Sequence, residues 1–525
     1  MKKWSGYRHE ICQESFDAII IGSGMSGLTA AVLLSQYGQR VLVLEKHFKA
    51  GGFTHTFTRK KYEWDVGIHY IGEVHKTKSH IRKLFDRITD GNLQWAKMDD
   101  NYDRIIFPDQ SYDFVAPKEK LIDILIGHFP EEKKAINDYI SLLESYVKSG
   151  RGYFASKALP KWLTPFLYRS MTKPFFEYAD RMTKDVLREF TQNEKLLGVL
   201  TGQWGDHGSP PGRSSFAMHA MVARHYLDGG NYPVGGSRMI AEYATDEIEK
   251  HGGKVVVNAG VDEILTKGKK AVGVRLENGD ELFASKVISS AGLMNTVNTF
   301  LRHQSSGEMF KEKMKTVRPT ESYLCLYMGL NKTAKELGFK NTNLWIYPGY
   351  DHDQNVEKFR TNPNGEFPVV YVSFPSAKDP EWDKNHPGCA TMEAITLGPW
   401  DQFKAWKDEP WQGRGESYEA LKDSLSKKIL DVVYKHVPQA EGAMDYYELS
   451  TPLSVRNMAN YPIGEMYGLD HTPERFHQKW LRPQTEIKNL YLTGQDVTTV
   501  GLTSALFSGL LTASSVLGKN LIKTL

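Results

Sequence analysis

The amino-acid sequence predicts an α/β fold, and three observations lead to that prediction. A short apolar run, Ala18–Ile21, is followed by a glycine-rich turn and a helical stretch. A second β-branched run ends in an acidic residue, Glu45, at the spacing typical of a dinucleotide-binding unit. Further strand-like segments are 254–257, 261–265, a hairpin of 271–276 with 281–284, a separate strand at 286–290, and 490–493. Together they predict a Rossmann-type domain built from a discontinuous chain.

The glycine-rich turn has the form G-x-G-x-x-G and precedes a helix that we expect over Ser26–Tyr37. The first glycine permits a tight turn, the second lets the backbone approach a pyrophosphate, and the third allows the helix to pack closely on the strand. The free N–H groups at the helix N-terminus suit a bound anion. The candidate cofactor contacts here are Gly22, Ser23, Gly24, Met25, Ser26 and Gly27.

The second strand, Arg40–Leu44, ends in Glu45, which lies eighteen residues after Gly27. A carboxylate at this position accepts hydrogen bonds from an adenosine ribose and repels a 2′-phosphate, so FAD or NAD is favoured over NADP. Lys46 and the doublet Gly51-Gly52 follow, and we expect all three to contact the same ligand.

Composition narrows the functional classes. A chain of 525 residues with 40% hydrophobic and 25% charged residues is globular and large enough for two or three domains. A formal net charge of +3 without basic runs argues against a nucleic-acid partner. The three cysteines are far apart, so we expect no disulfide framework and no metal site. The N-terminus lacks the apolar core of a signal peptide, and we expect a cytoplasmic protein.

One segment, Val497–Gly518, is uncharged over 22 residues, but its Ser, Thr and Gly content argues against a membrane span.

The separated strand-like segments suit one domain that the chain enters three times. We expect a dinucleotide-binding domain of residues 15–95, 230–300 and 475–525, interleaved with an α+β substrate domain of residues 96–229 and 301–474.

Five segments resemble the FAD-dependent carotenoid and phytoene desaturases, carotenoid isomerases and retinol saturases, within the amine-oxidase-like and glutathione-reductase-like flavoproteins. The second and third segments are most similar to the retinol-saturase branch, which acts on all-trans-retinol. The segments are the N-terminal fingerprint with Glu45 and Gly51-Gly52, YEWDVGIHYIG at 62–72, SFAMHAMVARHYLDGGNYPVGGS at 215–237, Val257–Val261, and LYLTGQDVTTVGLTSALFSGL at 490–510.

The resemblance implies that FAD lies along the whole fingerprint. Val261 would contact the adenine through its backbone, and Gly494 and Asp496 would contact the flavin-side phosphate and the ribityl chain. Thr503 and Ser504 would begin a closing helix beside the isoalloxazine. The positive end of a helix dipole stabilises an anionic reduced flavin, which favours hydride acceptance.

The resemblance also implies the reaction: hydride transfer at flavin N5 that saturates or desaturates a C=C bond of a retinoid, carotenoid or unsaturated fatty acyl chain. Candidate proton donors are His69, Tyr70, His225 and Tyr226, since imidazole and phenol groups can exchange protons with a reacting carbon. Their alternative interpretation is a structural role. No second nucleotide fingerprint is present, so NAD(P)H would act as a transient reductant or through a redox partner.

The segment Arg151–Phe176 is basic and rich in aromatic residues, which suits peripheral contact with an anionic membrane on the cytoplasmic face. Its alternative interpretation, over residues 151–185, is a helical lid packed on the protein itself. Three other functions remain open at this stage: a flavin-dependent cis–trans isomerase of a polyene, an amine oxidase, and a flavin-free lipid-binding escort protein.

Overall fold

The computed structural model describes residues 3–160 and 162–525. Within them the chain alternates between two large sheets, two small ones and the helices that cover them. The strands are β1 (Ser5–Gly6), β2 (Phe16–Ile21), β3 (Val41–Leu44), β4 (Thr56–Arg59), β5 (Tyr62–Asp65), β6 (Ile71–Gly72), β7 (Trp95–Lys97), β8 (Asn101–Ile106), β9 (Ser111–Val115), β10 (Gly230–Pro233), β11 (Lys254–Val257), β12 (Val261–Lys267), β13 (Lys270–Leu276), β14 (Glu281–Ser289), β15 (Tyr323–Leu330), β16 (Asn343–Ile346), β17 (Val370–Ser373), β18 (Ala390–Leu397), β19 (Met444–Ser450) and β20 (Leu490–Leu492).

The helices are α1 (Met25–Gln36), α2 (His80–Ile88), α3 (Lys118–His128), α4 (Lys133–Tyr146), α5 (Gly150–Lys157), α6 (Thr164–Ala179), α7 (Thr183–Leu187), α8 (Glu194–Leu200), α9 (Phe216–Tyr226), α10 (Arg238–Lys250), α11 (Leu293–Asn295), α12 (Ser305–Met314), α13 (His352–Thr361), α14 (Pro375–Lys378), α15 (Trp382–Asn385), α16 (Glu416–His436), α17 (Pro452–Ala459), α18 (Pro473–Phe476) and α19 (Leu502–Leu517). The longest helix is α16, with 21 residues.

The first sheet has eight strands in the order β1-β11-β3-β2-β14-β13-β12, with β20 also paired to β14. The pairs from β1 to β14, and the pair β14–β20, are parallel, while β12, β13 and β14 form antiparallel hairpins. Alternate residues of β2 enter two different apolar clusters, with Ile20 on one face and Ile19 and Ile21 on the other. A parallel sheet covered on both faces needs such continuous apolar strands. The predicted α/β class with a Rossmann-type domain is confirmed.

Two sequence expectations differ in detail. The segments 281–284 and 286–290, expected as two strands, form the single strand β14, whose first half pairs with β13 and whose second half pairs with β2 and β20. One strand therefore belongs to a hairpin and to the parallel sheet. The N-terminal strand β1, outside the expected domain bounds, extends the sheet at its edge.

The second sheet has seven strands in the order β19-β15-β18-β17-β16-β8-β9, and it lies with helices α3 to α9 around the largest apolar cluster. A three-stranded sheet, β6-β10-β7, and the hairpin β4-β5 lie between the two larger sheets along the chain. Helix α19 packs directly on α1, where a Cβ on Gly509 would come within 2.6 Å of the Ser26 carbonyl oxygen. In the described part of the chain, no helix combines the length and apolar character of a membrane span.

Candidate active site

A single large cavity joins the first sheet to the second. Its volume is about 1500 Å³, larger than the roughly 300–1,000 Å³ of ordinary small-molecule pockets. Its wall includes the turn after β2, the end of β3, the loop 493–501 and the start of α19, and also residues of α9 and β6. A cavity of this size and course has room for a dinucleotide at one end and a second molecule at the other.

The dinucleotide end is formed by close backbone approaches. Gly22, Gly24, Met25 and Ser26 line the cavity where α1 begins, so the helix N-terminus is presented to a ligand. A Cβ on Gly52 would come within 2.9 Å of the Gly24 Cα. The two glycine segments therefore leave a narrow cradle that no side chain fills, which fits a pyrophosphate.

Ser23 takes a different place from the one expected. It does not line the cavity, and its N–H and hydroxyl both donate to Glu45 Oε2, at 2.9 and 2.6 Å. The same hydroxyl accepts the N–H of Gly51 at 3.0 Å. Ser23 therefore acts behind the wall, where it orients Glu45 and holds the glycine doublet against the first turn.

Among the other residues expected to contact the cofactor, some line the cavity and one packs behind its wall. Gly27 lies behind the wall, where a Cβ would come within 2.4 Å of the Gly22 carbonyl oxygen, as close helix-to-strand packing requires. Lys46 lines the cavity, but its ammonium is 2.8 Å from Glu277 and about half of the side chain is exposed. Gly51 and Val261 line the same end, with Val261 at the start of β12.

The C-terminal loop forms the opposite side of this cradle. Gly494, Asp496, Thr503 and Ser504 all line the cavity. The Asp496 carboxylate already accepts two backbone N–H groups, from Leu293 at 2.7 Å and Leu469 at 2.9 Å. The side chain therefore ties the loop to two neighbouring segments, while the residue keeps its expected place on the cavity wall.

The Ser504 side chain also forms hydrogen bonds within its own loop. Its hydroxyl accepts the Thr499 N–H at 3.0 Å and lies 2.7 Å from the Thr499 hydroxyl. The bond fixes the turn that leads into α19, whose first residues face the cavity. The free amides of that helix start, rather than the serine side chain, are available to a ligand.

The four candidate proton donors also lie on the cavity wall. Tyr70 and Tyr226 stack with their ring centroids 4.2 Å apart, and burial raises the pKa of both phenols well above the ordinary value. His225 Nε2 accepts the Gly72 N–H at 2.8 Å, and burial lowers the pKa of the imidazole to about 4. That bond gives His225 a structural role in holding β6.

His69 is buried beside a second ionisable group. Its Nδ1 lies 2.8 Å from Glu393 Oε2, but the two groups are not aligned for a hydrogen bond. Burial lowers the pKa of His69 to about 3 and raises the pKa of Glu393 to about 8, so both groups are neutral near pH 7. A neutral, buried imidazole is a poor proton source.

Sequence reasoning missed three ionisable residues next to Tyr70: Asp103 and Lys378, which are buried, and Asp206, which is partly buried. The Tyr70 hydroxyl lies 2.9 Å from Asp103 Oδ2 and 3.2 Å from Asp206 Oδ2. The Lys378 ammonium donates to Asn343 and lies 5.7 Å from the Tyr70 ring centre. One sequence signal was available: Asp206 is the single charged residue in the stretch 196–212. An isolated carboxylate in an uncharged stretch marks a buried position.

The basic aromatic segment takes in nearly all of α5 and most of α6. Trp162 and Phe166 are 71% and 78% exposed, whereas Phe175 is buried. Lys157, expected among the charges of a membrane face, is buried and donates to the Leu481 carbonyl oxygen at 2.7 Å. The tip of this segment, at Trp162 and Phe166, is therefore exposed, and so are Arg151 at its start and Arg169 and Lys173 along α6.

Comparison with known proteins places the chain in a family. A family model described as flavin containing amine oxidoreductase matches residues 25–296, just over half of the chain. An all-trans-retinol 13,14-reductase of Danio rerio is 36% identical over 531 residues, which cover 97% of this chain and 87% of that protein. The chain belongs to the flavin-containing amine oxidoreductase family. The resemblance expected from the sequence motifs is thereby confirmed, and so is FAD as the cofactor of this flavoprotein.

Two further proteins extend the comparison. The neurosporene-forming phytoene desaturase of Rhodobacter capsulatus is 26% identical, with 95% of this chain and 93% of that protein covered. The crystal structure of an oxidoreductase from Methanosarcina mazei superposes with a TM-score of 0.64 over 96% of this flavoprotein and all of that chain. Its 14% identity shows a shared fold only.

Proposed function

We propose that this flavoprotein adds or removes two hydrogens at a C=C bond of a long apolar polyene, and that saturation is the physiological direction. One observation carries the proposal: full-length relatives named for retinol reduction and phytoene desaturation accompany a cavity that continues from the dinucleotide cradle into an apolar chamber. The polyene enters that chamber, whose aliphatic and thioether side chains are Ile68, Met218, Met221, Val222, Met458 and Met466.

The bound flavin supplies a hydride donor and acceptor at one position of its ring system. The chain's own residues bind and orient the two reactants. Gly24 and Gly52 would hold the pyrophosphate, Glu45 would accept the ribose hydroxyls, and the start of α19 would offer amides to the flavin. The methionines adapt to an apolar chain and exclude water from the reacting carbons.

The source of electrons is external to the chain. The glycine-rich turn at β2 is the one dinucleotide fingerprint in the sequence, and FAD would occupy it. We infer that a reduced nicotinamide or a redox protein reduces the flavin transiently. This leaves the cavity free for the polyene during the second half of the cycle.

The experiment uses the purified holoprotein without oxygen. The flavin is reduced chemically and mixed with retinoids, carotenoids or unsaturated fatty acids, and its absorbance is followed while products are separated by chromatography. Reoxidation coupled to a saturated product supports the proposal. Geometric isomers without any flavin colour change would indicate the isomerase function, and amine-dependent bleaching of the oxidised flavin would indicate an amine oxidase.

We propose also that the protein works at the cytoplasmic face of a membrane. Trp162 and Phe166 are exposed at the start of α6, beside the exposed cations Arg169 and Lys173. Arg151 and Phe154 of α5 line the cavity, so its mouth lies near this tip. An apolar substrate would then pass from the bilayer to the chamber without crossing water. The three free cysteines suit a reducing compartment.

A further inference from the structure

The strongest unassigned feature is the pair of carboxyl groups that share the Tyr70 hydroxyl. Asp103 is fully buried behind the cavity wall, whereas Asp206 forms part of the wall. Both Oδ2 atoms lie within hydrogen-bond distance of the same phenol oxygen. Two carboxyl groups that share one phenol inside a protein are not both ionised, because two adjacent charges repel strongly there. One of them must therefore hold a proton.

The donors around Asp103 show that this group carries the charge. Its Oδ2 accepts Gln203 Nε2 at 2.7 Å, and its Oδ1 accepts Asn343 Nδ2 at 2.9 Å. The Asn343 orientation is fixed, since its Oδ1 accepts the Lys378 ammonium, which can only donate. With Tyr70 as a third donor, Asp103 is surrounded as a carboxylate is.

The hydrogen count then assigns a proton to Asp206. A phenol has one hydrogen, and Tyr70 gives it to Asp103 across the shorter of the two contacts. The phenol oxygen can therefore meet Asp206 only as an acceptor, so Asp206 must bring the hydrogen. Burial and the neighbouring Asp103 charge raise the pKa of Asp206 well above its ordinary value, in agreement with that count.

We propose that Asp206 is the acid that protonates the substrate carbon next to the one that receives hydride, a role that rests on the proposed function. The Asp206 O–H bond breaks as a C–H bond forms, while the π electrons of the C=C bond are used and the neighbouring carbon takes hydride from a two-electron-reduced flavin. Water regains access when product leaves and returns one proton to Asp206. The net change is addition of two hydrogens, with FAD left oxidised.

The other candidates are less suited to this step. Phenols are weaker acids than carboxylic acids, and loss of the Tyr70 proton would leave a phenolate beside the charged Asp103. His225 uses Nε2 to accept a backbone N–H, and His69 is neutral. Asp206 combines a proton at neutral pH with a place on the cavity wall.

The test begins with infrared difference spectroscopy of the FAD-loaded protein near pH 7. The wild-type spectrum minus the Asp206→Asn spectrum should contain the carbonyl stretch of a protonated carboxyl, shifted in D₂O. The neutral Glu393 carboxyl contributes equally to both spectra and cancels. Asp109→Asn is the control, because Lys195 holds the pKa of that exposed carboxyl below its usual range. Persistence of the full band in Asp206→Asn overturns the assignment, whether or not a substrate is known.

The second measurement is single-turnover reoxidation of the reduced flavin by the unsaturated substrate. Asp206→Asn should slow it about 100-fold or more, the usual contribution of a general acid, and should abolish the solvent deuterium isotope effect. Asp206→Glu should recover part of the rate. Weaker substrate binding with an unchanged rate would make Asp206 a binding residue and overturn the proposal.

Failure of the proposed function has a different signature. In that case no polyene reoxidises the wild-type flavin. The infrared measurement needs no substrate, so it tests the protonation of Asp206 independently of the reaction. Bound FAD, measured by absorbance for each variant, shows whether the variant has folded.

Discussion

The Ser23 hydroxyl lies 2.6 Å from Oε2 of Glu45, and the Ser23 N–H donates to the same oxygen at 2.9 Å. The other carboxylate oxygen accepts the His47 N–H at 2.8 Å. These three donors fix the carboxylate at the end of β3, where it faces the cavity. A short side chain behind the wall thereby sets the position of the ribose acceptor.

Ser23→Ala should weaken FAD binding, because it removes the hydroxyl that holds both Glu45 and Gly51. We expect about a tenfold rise in Kd, or roughly 1.4 kcal/mol, measured by titration of the apoprotein with FAD. Ser35→Ala is the matched control, since that buried α1 hydroxyl makes no hydrogen bond in the described part of the chain. Equal losses in the two variants would contradict this explanation.

Gly52→Ala should block FAD loading, because its Cβ would meet the Gly24 backbone at 2.9 Å in the cradle. Gly38→Ala carries the same cost of a positive φ, +78° against +56°, but its Cβ meets nothing within 4 Å. The control should therefore lose some thermal stability and keep its flavin. Flavin content after purification, read from absorbance, distinguishes the two, and full occupancy in Gly52→Ala would refute the close approach.

The glycine-rich turn could be predicted from the sequence, whereas the surroundings of Asp206 could not. The turn at Gly22 and the acidic end of β3 follow from local rules, because a strand, a turn and a helix N-terminus are contiguous. Asp206 meets Tyr70 and Asp103 across 136 and 103 residues. No spacing rule covers such contacts, so only the tertiary fold shows which carboxyl shares a phenol.

The same limit explains the histidines. His225 resembles a proton donor in sequence, but its partner is a backbone N–H of β6, 153 residues earlier. A hydrogen bond between a side chain and a distant backbone N–H cannot be recognised from the order of residue types in the sequence. Ser23 was expected to contact the ligand because it lies inside the glycine-rich turn. Its neighbours Gly22 and Gly24 do line the cavity, but Ser23 does not.

Glu393→Gln should stabilise the protein increasingly as pH rises from about 4.5 to about 8. Burial raises the folded-state pKa of Glu393 from 4.5 to about 8, so the unfolded chain releases this proton at lower pH than the folded one. Wild type therefore loses stability through that window, by up to about 1.4 kcal/mol per pH unit, and the glutamine variant does not.

The measurement is the difference in melting temperature between Glu393→Gln and wild type at pH 5 and pH 8. The exposed Glu131→Gln variant is the control for loss of one surface carboxyl, and it should change the melting temperature less at pH 8 than Glu393→Gln does. A difference for Glu393→Gln that shrinks toward pH 8 would have the wrong sign for a buried neutral acid.

His225→Ala should lower stability rather than slow the chemical step. It leaves the Gly72 N–H without its acceptor, which costs roughly 1–3 kcal/mol for a buried amide. Flavin reoxidation by substrate, measured in the fraction that retains FAD, should stay within a few-fold of wild type. A large rate loss with unchanged melting temperature would return His225 to the candidate acids.

Trp162→Ser combined with Phe166→Ser should abolish binding to anionic vesicles. These side chains are 71% and 78% exposed, and their insertion among acyl chains adds to the attraction between lipid headgroups and nearby cations. Wild type should co-sediment with phosphatidylserine-containing vesicles at low salt and be released as salt is raised. Phe283→Ser is the control, since Phe283 is 59% exposed on the β13–β14 hairpin. Equal binding by the double variant and the control would show that this tip is a lid rather than a membrane contact.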